Sequence, residues 1–122
     1  MAAHTTILLH SKFDEYCLKL NSSENQLLFK TIGKLRKNPS QPGLHCEPIG
    51  GKDNNIWSAR LNKAYRLIFF KSPREEIIGL LYVGNHDEAY QWADRKKINI
   101  HPYTGEIQLY ESEIESNEEL IL

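Results

Sequence analysis

Ile56-Trp57-Ser58-Ala59-Arg60-Leu61, then Asn62-Lys63-Ala64, then Tyr65-Arg66-Leu67-Ile68-Phe69-Phe70-Lys71 is the stretch that decides the fold. Two runs rich in aromatic and branched apolar residues flank a three-residue break, which reads as strands over 56–61 and 65–71. Residues 77–83 read as a third strand, and connections this short predict antiparallel pairing. The turn sets the register. A two-residue loop at Asn62-Lys63 pairs Leu61 with Ala64 and sends Arg60 and Arg66 to opposite faces. A three-residue loop through Ala64 instead pairs Arg60 with Arg66 on one face, and both remain open at this level.

Upstream, Thr5-Thr6-Ile7-Leu8-Leu9 reads as a strand, and Ser11 stands where a helix cap belongs. Phe13, Tyr16, Cys17 and Leu20 recur at helical spacing. After Asn21-Ser22-Ser23 a second helix is expected over 24–37, with Leu28, Ile32 and Leu35 inward and Lys30, Lys34, Arg36 and Lys37 largely outward. Asn38-Pro39 stops it. Residues 40–55 form a loop-rich connection with room for a short strand around 44–49, and Gly51-Lys52 lacks the spacing of a phosphate-binding loop. Downstream, residues 87–96 have helical character with Ala89, Trp92 and Ala93 on one side. Residues 98–100 and 107–109 then alternate as a hairpin turning through Pro102-Tyr103-Thr104-Gly105. The expected class is α+β: a helical hairpin packed on a small antiparallel-rich sheet, with an extra C-terminal helix and β-hairpin.

With 122 residues the chain is expected to form a single domain over 1–110, followed by an acidic, mobile tail over 111–122. Cys17 and Cys46 lack the spacing of a redox pair or zinc set, so two reduced thiols are expected, with no metal and no cofactor. Neither a signal pattern nor a membrane-length apolar run is visible, which predicts a cytoplasmic protein without membrane association. The net charge of −1 conceals a split. Residues 1–103 carry +5 and residues 104–122 carry −6. A basic body suits a polyanion, for which an acidic tail could compete.

Glu47, Arg60, Arg66 and His86 bring a carboxylate, two guanidiniums and an imidazole into this stretch. Attack of a ribose 2′-hydroxyl on its own phosphate needs a base on the hydroxyl, a cation on the phosphate and an acid for the leaving oxygen. These side chains can supply all three.

Strand, helical hairpin and three antiparallel strands carrying Trp57-Ser58-x-Arg60 and Tyr65-Arg66-Leu67 resemble the RelE/ParE superfamily of bacterial toxins. The YoeB-like branch is the nearer likeness: there a Glu-Pro-Leu segment precedes Trp-Ser-Arg-Arg-Ile and His-Arg-Leu-Val-Tyr strands, and the chain ends near a catalytic His. Glu47-Pro48-Ile49, residues 57–69 and His86 match that pattern. The resemblance implies a toxin of a type II toxin–antitoxin system, a metal-independent endoribonuclease that cleaves mRNA on the ribosome and is restrained by a cognate antitoxin. It implies Glu47 as general base, Arg66 as the phosphate-stabilising cation and His86 as general acid. Arg60, Lys63 and Tyr90 would contact RNA, Tyr90 replacing an aromatic residue that the YoeB-like chain carries after its His, where this chain has Asp87.

A second resemblance, through residues 38–44 and His86-Asp87-Glu88-Ala89-Tyr90-Gln91-Trp92-Ala93, is to a RelE-like domain of some UvrD-like helicases. It implies a noncatalytic interaction module, helicase-associated or ParE-like in its partner binding.

Overall fold

The computed structural model describes residues 5–38, 41–49, 55–72, 76–94, 96–100 and 107–111. The proposed tail therefore lies outside the described residues except for Glu111. The architecture is α+β. Strand β1 (Thr6–Leu9) is followed by helices α1 (Phe13–Cys17) and α2 (Ser22–Lys37), a 3₁₀ turn (Pro42–Leu44) and a two-residue strand β2 (Glu47–Pro48). Strands β3 (Ile56–Arg60), β4 (Tyr65–Lys71) and β5 (Ile77–Asn85) come next, then α3 (His86–Asp94) and a separate hairpin, β6 (Lys96–Ile100) with β7 (Ile107–Glu111).

The main sheet has the order β1-β5-β4-β3-β2, with β1 parallel to β5 and the other pairs antiparallel. Alternation along β4 sorts the two faces. Leu67 and Phe69 join Ala59, Leu80 and Val83 in a core closed by Phe13, Leu28 and Leu35 from the helices. Ile68 and Phe70 point the other way, with Ile56 and Leu81, and meet Ala89 and Ala93 of α3. Alanine at both helix positions lets α3 approach that face closely. Ile68 pairs with Tyr82 but Phe69 with Leu80, leaving Leu81 as the extra residue of a bulge.

Several boundaries differ from the sequence reading. The first helix is one turn and a fraction, with Lys12 rather than Ser11 at its N-cap and no side-chain cap bond. Leu20 is buried without being helical, because the chain turns after Cys17. The second helix begins at Ser22, since Asn21 and Glu24 form a reciprocal capping box. Strand β5 continues two residues past Val83, and α3 starts at His86 and ends at Asp94. Gly84 pairs with Arg66 and Asn85 with Tyr65, so strand runs into helix without a loop. Leu61 lies outside β3. Cys17 and Cys46 are free thiols, each pushed up from the usual thiol range chiefly by burial.

Candidate active site

The hairpin register is the three-residue alternative. Arg60 stands opposite Arg66, and the Leu61 amide donates to the Tyr65 carbonyl across the Asn62-Lys63-Ala64 loop. Asn62 makes this turn through its side chain rather than through a left-handed backbone: Oδ1 accepts from the amides of Ala64 (2.9 Å) and Tyr65 (2.8 Å). Among the described non-glycine residues only His45 has positive φ.

The loop also fixes Arg66. Its Nη1 donates to the carbonyls of Asn62 (2.8 Å), Tyr65 (3.0 Å) and Lys63 (3.3 Å). A guanidinium anchored by one nitrogen keeps Nε and Nη2 as a fork for an anion. Arg66 is half-buried, while Arg60 and Lys63 are exposed. The amide of His86 donates to the Ala64 carbonyl at 2.7 Å, and Asn85 caps α3 by accepting from the Glu88 amide at 3.0 Å. His86 thus enters the first helical turn beside the Arg66 loop.

Glu47 arrives from the other side of the hairpin. Strand β2 pairs Glu47 with Ser58, and the Ile49 amide donates to the Ile56 carbonyl. Tyr90, one helical turn after His86, joins these groups. Its hydroxyl donates to Glu47 Oε1 at 2.5 Å and lies 3.1 Å from Ser58 Oγ, while its ring stacks on His86 with centroids 4.5 Å apart. Burial, then the hydrogen bond to Glu47, push the phenol up from the ordinary tyrosine range. Ser58 and the nearby Arg66 charge pull the other way. His86 Nδ1 lies 3.1 Å from Asp87 Oδ1, a solvent-exposed contact worth little by itself.

Glu47, Arg66, His86, Arg60 and Tyr90, singled out from the sequence, therefore sit at one end of the sheet on the face that carries α3, with Lys63 in the adjoining loop. Tyr90 is the hub of the cluster rather than an unattached stacking platform. Ser58 and Gly84 received no role from the sequence, and Asn62 only a place in the turn; the strand alternation that puts Ser58 on the same face as Arg60 was the available signal. Trp92, read on one side of the helix with Ala89 and Ala93, is half-buried against their core cluster and stacked on Tyr82 at 5.1 Å. Among the described residues no three His, Cys, Asp or Glu side chains converge as a metal-ligand set, and no helix is long and apolar enough to cross a membrane.

This arrangement of a five-stranded mixed sheet and its helices is a fold shared with solved toxin structures. A YoeB/ParE toxin from Agrobacterium tumefaciens superposes with a TM-score of 0.56 at 16% identity, over 67% of this chain and 99% of that one. The archaeal RelE–RelB complex from Pyrococcus horikoshii gives 0.57 at 14% identity, over 68% and 96%. A metal-bound toxin from Helicobacter pylori gives 0.55 at 23% identity, over 69% and 97%. No family model and no curated relative matches the sequence. The chain has a RelE/ParE-like fold, with YoeB-like proteins among its structural neighbours. The likeness to a helicase-associated domain receives no support from these structures.

Proposed function

We propose that this chain is the toxin of a type II toxin–antitoxin system and an endoribonuclease that cleaves mRNA on the ribosome by 2′-hydroxyl attack, using side chains alone. The observation that carries the reading is the junction at Tyr90, which ties the Glu47 carboxylate to the His86 ring beside the registered Arg60 and Arg66 pair. Such a cluster supplies the three roles the reaction demands. Glu47 removes the 2′-hydroxyl proton, Arg66 stabilises the charge growing on the phosphorane oxygens, and His86 protonates the departing 5′-oxygen. Arg60 and Lys63 hold neighbouring phosphates, and Tyr90 orients Glu47. A cognate antitoxin and a cytoplasmic setting follow as part of the same proposal. The antitoxin would lay a helix or strand over the sheet and helical pair, meeting basic surface with acidic side chains.

The test uses the full chain with translating ribosomes and a defined message, mapping new 5′ ends beside an Arg66→Ala control. New ends lost in the control are expected. Cutting that persists undiminished in the control removes Arg66 from the mechanism. Absence of cutting by the folded wild-type chain favours the noncatalytic interaction module, consistent with a Glu47 already engaged by Tyr90.

A further inference from the structure

Ser58 is a buried polar residue of this face, and the proposed chemistry leaves it without a role. It is 1% exposed on β3, opposite Glu47 on one side and Ile68 on the other, in a layer otherwise built from Ile56, Ile68 and Phe70. A hydroxyl in such surroundings needs a partner, because burying an unpaired one is destabilising. That partner is Tyr90 at 3.1 Å.

The proton order follows from counting hydrogens. A carboxylate has none, so the 2.5 Å contact between Tyr90 and Glu47 takes the single phenol proton. The Tyr90 oxygen then has only lone pairs left for Ser58. We infer that Ser58 is a positioning residue: its hydroxyl donates to the Tyr90 oxygen and thereby fixes the phenol proton toward Glu47. The inference rests on the reading of Glu47 as the general base and names how that base is held.

The chain Ser58 to Tyr90 to Glu47 runs in one direction, and a phenol that accepts one hydrogen bond becomes a better donor of the next. Glu47 lies on a two-residue edge strand and is exposed. A carboxylate there samples several rotamers unless it is tethered. Tyr90 holds it beside the His86 ring, and Ser58 fixes the phenol that does the holding. Ser58 is too buried to meet RNA, so it acts through Tyr90.

A double-mutant cycle on the full chain tests this. Ser58→Ala is expected to slow cleavage about tenfold, the loss of one well-made hydrogen bond. Tyr90→Phe slows it at least as much, and Ser58→Ala adds nothing in the Tyr90→Phe background. Equal, multiplicative losses in both backgrounds overturn the inference, since they make Ser58 a packing residue. A second readout is independent of cleavage: the ¹³Cζ resonance of Tyr90, assigned by its disappearance in Tyr90→Phe, shifts in Ser58→Ala and returns toward its wild-type position in Ser58→Thr. An unmoved resonance overturns the inference whatever the activity. If the resonance moves while the wild-type chain cuts no RNA, the nuclease reading fails and the Ser58–Tyr90–Glu47 arrangement stands.

Discussion

Gly84→Ala separates two effects of opposite sign. Gly84 is buried in β5 opposite Arg66, and a Cβ built on it lies 2.8 Å from Cε2 and 3.0 Å from Oη of Tyr82. The Tyr82 ring is held by two neighbours, stacked on Trp92 at 5.1 Å and tilted against Tyr16 at 4.6 Å, so it has little freedom to recoil. Forcing an extra methyl into such packing costs about 1–3 kcal/mol. The backbone at Gly84 is not left-handed, so the same substitution restricts the unfolded chain and returns about 0.4–1 kcal/mol. The net expectation is destabilisation of about 1–2 kcal/mol, which lowers the urea midpoint by about one molar for a domain of this size. Urea unfolding followed by far-UV circular dichroism measures it. In a Tyr82→Ala background the clash disappears and the sign reverses, so that Gly84→Ala then stabilises by about 0.4–1 kcal/mol. Gly84→Ala as stable as wild type, or equally harmful in both backgrounds, refutes the argument that the ring excludes a side chain at this position.

Asn62→Ala removes the acceptor for two loop amides and is expected to cost about 1–2 kcal/mol, whereas Asn62→Asp keeps the oxygen and most of the stability, as thermal unfolding of the two variants will show. The Tyr90 phenol is raised by burial first and the Glu47 bond second, so its contribution to stability is complete below the ordinary tyrosine range and is lost as pH rises through its folded-state value. Tyr90→Phe should therefore flatten the alkaline limb of a stability-versus-pH curve; an unchanged limb contradicts this. Inorganic phosphate should raise the melting temperature of wild type more than that of Arg60→Ala or Arg66→Ala, and equal shifts in all three would place the anion elsewhere.

Periodicity and turn chemistry made the elements legible, because alternation in 65–71 and the stripe at Leu28, Ile32 and Leu35 are local consequences of burial. Tyr65–Lys71 has the boundaries read from the sequence. The ends of other elements depend on partners distant in the chain. Strand β5 reaches Asn85 only because Arg66 and Tyr65 lie opposite Gly84 and Asn85, and no local pattern at Val83-Gly84-Asn85 records that pairing. Asn62 and Arg66 were visible as residues, but which loop length they select depends on side-chain bonds to backbone groups two to four positions away. Ser58 and Tyr90 are separated by 32 positions, and their contact exists only once α3 lies across the sheet.

The cross-strand arginines express how this fold divides its labour. Like charges directly opposite in an antiparallel pair oppose strand association, so Arg60 and Arg66 work against the hairpin that holds them. The hairpin tolerates them because its stability comes from elsewhere: Leu67, Phe69 and Ala59 on the other face are buried against the helical pair, and the loop carbonyls bind Arg66 Nη1. Repulsion between the guanidiniums is relieved by an anion placed between them, most strongly by one whose charge grows during reaction, as on a pentavalent phosphate. Under the proposed cleavage, relief of this kind, greater in the transition state than in the ground state, is what differential binding requires. Replacing Arg60 touches neither the apolar face nor the loop bonds to Arg66 Nη1, so under the proposed function loss of anion affinity in a chain that stays fully folded is the expected result.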